Sequence, residues 1–184
     1  MIIQKVTKSR LETLDKDKLS FGSGFTDHMV ICEYENGKWG EPRLVPYGPL
    51  EFTPAMMGVH YGQACFEGMK AYKDKDNNVF LFRPDKNFAR INKSAKRLAI
   101  PEIPENIFME GLKALVDVDR AWVPFGDGFH STSDPCCSLP KKLLRQDLPT
   151  SICSLFWLRQ RKTTIPRLSP LRYPTIILVR RVAA

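Results

Sequence analysis

The run VFLFRPDKNFARINKSAKRL, residues 79–98, reads first as strand and then as helix, and that change sets the fold class. Val79 to Phe82 is a short β-rich segment. Pro84-Asp85 opens a helix, and Phe88, Ile91, Ala95 and Leu98 follow at helical spacing. Upstream, Met69 to Tyr72 pairs with Val79 to Phe82 across the polar turn Lys73 to Asn78. Further upstream, Phe25 to Tyr34 is a strand. Glu35-Asn36-Gly37-Lys38 is a hairpin turn after it, and a second extended segment follows. Downstream, Pro101 and Pro104 separate the first helix from another that carries Phe108, Leu112, Leu115, Val116 and Trp122, and Pro124 ends it. Residues 1–124 therefore predict an α+β domain of hairpins and helices. Within it, Tyr61 to Gly68 reads as a short helical stretch whose two aromatics, Tyr61 and Phe66, default to core packing. Arg90, Lys93 and Arg97 default to a solvated helix face.

Residues 125–184 are written differently. The chain carries a net charge of +8, but residues 1–124 hold 18 Lys+Arg against 17 Asp+Glu, and residues 125–184 hold 10 against 3. No glycine, glutamate, methionine or asparagine follows Gly128. Prolines stand at Pro135, Pro140, Pro149, Pro166, Pro170 and Pro174. Proline interrupts helices and central strands, and missing glycine removes the usual turn residue. Local preference and compact folding disagree there, so the segment is expected to be a disordered or out-of-frame tail.

Composition excludes several classes. At 184 residues the chain has room for one ordinary core. Its apolar runs, such as Ile176 to Val179, are too short to span a bilayer, and no apolar h-region follows Met1, so a secretory leader is not expected. Five cysteines form no CxxC pair, which argues against a disulfide framework or zinc ribbon and for a reducing cytoplasm. His28, His60 and His130 lack metal-ligand spacing, Cys136-Cys137 lack a paired partner, and neither GxGxxG nor GxxxxGK[ST] occurs. Gly22-Ser23-Gly24 is a short turn. Trp157, Arg159, Arg161 and Lys162 have the aromatic-plus-basic look of single-strand binders, yet no nucleic-acid fold motif accompanies them, and a solvated tail is the expectation.

Five stretches together resemble the branched-chain amino-acid aminotransferases, pyridoxal-phosphate enzymes of fold type IV. They are Phe25-Thr26-Asp27-His28-Met29, His60-Tyr61 through Phe66-Glu67-Gly68, Leu81-Phe82-Arg83-Pro84, Asn87 to Arg97, and Asp119-Arg120-Ala121-Trp122-Val123-Pro124. The match runs from about Phe21 to Pro124. It implies that residues 1–124 are the small amino-terminal domain of such an enzyme. It implies that Arg90 holds the cofactor phosphate, a role that suits a planar, permanently charged guanidinium. It implies that Phe25, Tyr61 and Phe66 line the apolar pocket for a leucine, isoleucine or valine side chain. The implied reaction moves an amino group to 2-oxoglutarate, in a cytoplasmic homodimer without membrane attachment. The family's cofactor-bearing lysine lies in a second, larger domain. No stretch around Lys141, Lys142 or Lys162 resembles its motif, so no catalytic residue is assigned and the chain alone is expected to be inactive.

The family next continues to a Tyr-x-Arg-Pro motif, where this chain reads Ser131-Thr132-Ser133-Asp134-Pro135. The codons TCT ACA TCC GAC CCT encode those residues. Joining the last base of each to the first two of the next gives TAC ATC CGA CCC, Tyr-Ile-Arg-Pro. Shifted likewise, Cys136 to Leu148 can give Leu-Leu-Phe-Ala-Thr-Glu-Glu-Ala-Val-Lys-Ala-Arg-Pro, which resembles the family's next segment. A frameshift near Phe125 explains the vanished glycines and glutamates. Two other readings keep the tail as genuine protein: a non-catalytic partner of an intact aminotransferase chain, and a nucleic-acid arm, whose binding would be steeply salt-dependent.

Overall fold

The computed structural model describes residues 1–15, 25–52 and 54–125 in full. It describes 129–133, 136–138, 152–162 and 176–179 as backbone strands. In chain order the strands are β1 (Ile2–Ile3), β2 (Phe25–Glu35), β3 (Lys38–Trp39), β4 (Arg43–Pro46), β5 (Ala64–Phe66), β6 (Met69–Lys73), β7 (Val79–Phe82), β8 (Phe129–Ser133), β9 (Cys136–Ser138), β10 (Ile152–Lys162) and β11 (Ile176–Val179). The helices are α1 (Met57–His60), α2 (Pro84–Arg97) and α3 (Glu105–Val118). The sheet path runs β1-β4-β2-β10-β8-β6-β7-β11, with β3 beside β2 and β9 joining β5 to β10. Only β1 and β4 pair in parallel among the named strands.

The hairpins form where turn chemistry permits. Between Glu35 and Lys38 the chain reverses through Asn36 and Gly37, both at positive φ (51° and 79°). This is the turn whose twist matches the strands it joins. Asp74 organises the β6–β7 turn, its carboxylate accepting from the Asp76 and Asn78 backbone and from Asn78 Nδ2. Arg83 alone turns β7 into α2, in the left-handed region at φ 49°, and Pro84 then starts the helix without needing an N–H.

The main core lies between helices and sheet. Val30, Leu44, Leu81, Ile91, Phe108, Leu112 and Leu115 are buried in one cluster. Gly111 lets α3 close on β2, since a Cβ there would stand 3.2 Å from Val30 Cγ1. The opposite face of β2 buries Met29 and Ile31 under Val45, Tyr47 and Leu50. Covered on both sides, β2 is buried continuously from Thr26 to Cys32, polar residues included. Asn92 of α2 clamps the interhelix loop, donating to Ile103 O at 2.9 Å and accepting from Ile103 N at 2.8 Å.

Several expectations need correction. Tyr61 to Gly68 is not helical: Gly62 adopts φ +62°, and Ala64–Phe66 is a strand. Alternation along β5 points Cys65 inward and Phe66 outward, so Phe66 is 78% exposed and Tyr61, just past α1, is 63% exposed. Neither is a core residue. Leu98 caps α2 and is exposed, because Ala99 at φ 53° ends the helix there. α3 stops at Val118, and Trp122 lies in the following 3-10 turn, where it is still buried. The described tail residues include four strands. β8, β9, β10 and β11 pair antiparallel with earlier strands, β10 with β2 and β8 with β6. Strand ladders use main-chain groups that most residue types supply, and all six tail prolines fall outside the four strands. Gly22-Ser23-Gly24 lies outside the described residues.

Candidate functional site

The stretches singled out in the sequence gather into two polar clusters. The first spans the β5–β6 turn and α2. Glu67 follows β5, and its side chain is only 3% exposed. Asn87 and Arg90 stand three residues apart on α2 and so share a face. Glu67 Oε1 accepts from Gly68 N at 2.9 Å, from Asn87 Nδ2 at 3.2 Å and from an Arg90 Nη, while Oε2 accepts from Arg90 Nε at 2.5 Å. Asn87 also donates to Gly68 O at 3.1 Å. Burial works against the Glu67 charge. The bonds from Arg90, Gly68 and Asn87 outweigh it and hold the carboxyl below the usual carboxylate range. Arg90 itself is 68% exposed. Its guanidinium is gripped along one edge by a buried anion and offers the other edge outward.

The second cluster joins β2 to the end of α3. Asp119 caps α3, and its carboxylate accepts from the His28 backbone N at 3.0 Å and lies 2.6 Å from His28 Nδ1. His28 Nε2 accepts from Val6 N at 3.0 Å, so the ring proton sits on Nδ1 and is donated to Asp119. Beside them, Asp27 accepts from Ser9 Oγ, Arg10 N and Trp122 Nε1, the last at 2.8 Å. Burial raises the Asp27 carboxyl, and these bonds together bring it below the ordinary range. His28, Asp27, Asp119 and Trp122 are all buried. The cluster welds the amino-terminal segment and the end of α3 to β2, and its chemistry is structural.

The aromatic residues expected around a substrate are placed separately. Phe25 begins β2 and stacks on Tyr47, with centroids 4.8 Å apart and planes at 13°, and the Arg10 guanidinium lies over the Tyr47 ring, 5.5 Å from its centroid. Tyr61 tilts against His60 at 6.5 Å. Among the described residues no ring contact joins Phe25, Tyr61 and Phe66 to one another. His60 bonds Pro54 O, and no group of three or more His, Cys, Asp or Glu among the described residues could hold a metal ion. Cys32 and Cys65 are both buried, and burial, with Glu33 adding to it, pushes the Cys32 thiol up to about 11, so Cys32 is not a nucleophile in that state. No helix among the described residues is long and apolar enough to cross a membrane. Sequence reasoning did not single out Glu67, the buried partner of Arg90. Its signal was a carboxylate flanked by aromatic and glycine in a stretch otherwise free of charge.

No protein-family model matches the chain. Curated relatives do. The chain is 53% identical over 118 residues to a probable branched-chain-amino-acid aminotransferase of Staphylococcus aureus, an alignment covering 64% of this chain and 33% of the relative. It is 48% identical over 125 residues to branched-chain-amino-acid aminotransferase 2 of Bacillus subtilis, covering 67% and 34%. The chain thus spans about a third of the length of the curated relatives it matches. Among solved structures, a branched-chain amino acid aminotransferase from Thermobaculum terrenum (M3 mutant) aligns with a TM-score of 0.50 at 14% identity, over 75% of this chain and 40% of that one. This last likeness concerns the fold.

Proposed function

We propose, from the homology of its amino-terminal part to the branched-chain-amino-acid aminotransferases, that residues 1–124 are the small domain of an enzyme of that activity. In this reading an amino group passes from leucine, isoleucine or valine to 2-oxoglutarate in a cytoplasmic homodimer. The observation that carries it is the 53% identity over 118 residues. Pyridoxal phosphate, when bound, supplies the electron sink that makes amino transfer possible. Arg90 fits its phosphate end: the guanidinium is always charged, its plane is set by Glu67, and its free edge faces solvent. Phe25, Tyr61 and Phe66 would exclude water from a branched aliphatic side chain. For Tyr61 and Phe66 the support is their exposure, since buried rings could meet no substrate.

The 184 residues by themselves carry no lysine in a setting like the family's, and we propose that this polypeptide alone does not transaminate. We further propose that residues from about Phe125 onward are read out of frame. The support is the Tyr-Ile-Arg-Pro motif hidden under Ser131 to Pro135. Two measurements test the reading. Sequencing the coding DNA across Trp122 to Ser133 and several hundred bases beyond should reveal a shifted frame open into a lysine-bearing domain. Stop codons near its start would sink the frameshift. Leucine-dependent formation of glutamate should be absent from the purified chain and present in the product of the restored frame. Activity in the purified chain would refute the proposed inactivity, and an inactive restored product would refute the aminotransferase reading.

A further inference from the structure

Three carboxylates are buried in the clusters above: Asp119 and Glu67 are paired in opposite ways, and Asp27 lies 3.5 Å from Nε of the half-exposed Arg10. Asp119 meets a partner as buried as itself, the side chains being 1% and 4% exposed. Glu67, 3% exposed, meets a partner that is 68% exposed. The Glu67–Arg90 pair differs from Asp27–Arg10 in its two-point grip, through Nε and an Nη. The Glu67 pair hides the anion and displays the cation. Glu67 also has other donors, Gly68 N and Asn87 Nδ2, so Arg90 is not the sole group satisfying it. The grip is side-on, through Nε and one Nη. It fixes the guanidinium plane and leaves Nη1 without an acceptor among the described residues. Asn87, tied to both Glu67 and Gly68 O, holds the turn against α2 so that this geometry is rigid.

We infer that Glu67 is a positioning residue for anion binding: it holds the Arg90 guanidinium pre-ordered, free edge outward, for the phosphate of the cofactor. This rests on the reading of Arg90 as the phosphate ligand. A long, exposed side chain otherwise pays its ordering cost when the ligand arrives, and pre-ordering removes that cost from binding. The alternative role, a negative charge that merely neutralises Arg90, has the opposite consequence, because removing it would strengthen anion binding. The ionised state of Glu67 is consistent with either role, and the sign of the mutant effect separates them.

The test uses the full chain and pyridoxine 5′-phosphate, an alcohol that cannot attach to lysines, with pyridoxine as the control lacking phosphate. Binding is followed by equilibrium dialysis. The wild type should prefer the phosphate ester, and Arg90→Ala should abolish that preference. Glu67→Gln should weaken binding of the ester by about tenfold, the scale of ordering one long side chain, and leave pyridoxine unchanged. In the nuclear magnetic resonance spectrum the Arg90 Nε–H of the wild type should be shifted downfield and slow to exchange, and Glu67→Gln should remove both properties. Glu67→Asp keeps the charge but withdraws the carboxylate, so it should also bind the ester less well, and it carries the comparison if the glutamine variant does not fold. Unchanged or tighter ester binding in Glu67→Gln, or wild-type binding in Glu67→Asp, overturns the positioning role while leaving Arg90 as the ligand. No preference for the ester in the wild type, or a preference that survives Arg90→Ala, overturns the phosphate reading and the inference with it.

Discussion

The β2–α3 junction and the β5–α2 junction are built from the same parts, a carboxylate and a nitrogen base joined across a long stretch of chain. At the first, His28 and Asp119 are both buried and every donor is consumed within the fold. At the second, Glu67 is buried and Arg90 reaches solvent. The stretches containing them are equally family-like. What separates these two pairs is whether the far end remains available, and that is a property of packing.

Mutations should pull the two junctions apart. The largest effect is expected from Asp119→Ala, which strands the buried His28 N–H and ring N–H. Unfolding in urea should reveal a loss of about 3 kcal/mol, and a loss below 1 kcal/mol would mean that water replaces the carboxylate. Trp122→Phe keeps the ring volume in part and removes the bond to Asp27. It should cost about 2 kcal/mol in thermal denaturation. Arg90→Ala should cost about 1 kcal/mol at most, because solvent can replace an exposed guanidinium and buried Glu67 keeps its bonds from Gly68 N and Asn87, and it should abolish the proposed preference for the phosphate ester. A stability loss as large as that of Asp119→Ala would make the two junctions alike and Arg90 a structural residue.

Acid offers a different handle on the same contrast. Asp27 and Glu67 both have carboxyls held below their ordinary values in the folded chain. The folded state therefore binds fewer protons than the unfolded one near pH 4, and stability falls as pH falls through the folded values. It is fully present above the ordinary carboxylate range. Denaturation midpoints between pH 7 and pH 2 should decline, and the decline should shrink in Asp27→Asn. An unaltered slope in that variant would assign the acid sensitivity elsewhere. Smallest of all, Gly37→Ala places a side chain at φ 79° and should cost about 0.5–1 kcal/mol in the same assay, without touching either junction.

Much of the fold was legible in the chain itself. Asn36-Gly37 specified its turn because its backbone preferences match the strand twist, and the β6–β7 hairpin and α2 appeared where the residues placed them. Helix ends were less legible. α3 stops at Val118 because Asp119 turns inward to His28, 91 residues away in sequence, and α2, which ends at Arg97, is followed two residues on by Ala99, an alanine in a conformation that usually marks glycine. The order of the sheet was not legible either. Among the described residues no strand of the first 125 pairs both β2 and β6, and the link is made by β10 and β8 from a segment whose composition argued against structure.

The sequence by itself determined the β2–β3 and β6–β7 hairpins, the two long helices, where the polar turns fall and which family the first two thirds resembles, because these depend on neighbours a few residues apart. Only the tertiary structure decided that Phe66 and Tyr61 face outward, that His28 and Asp119 are spent on each other and that Glu67 stands behind Arg90. Those outcomes depend on which surfaces meet, and burial and pairing are set by groups distant along the chain.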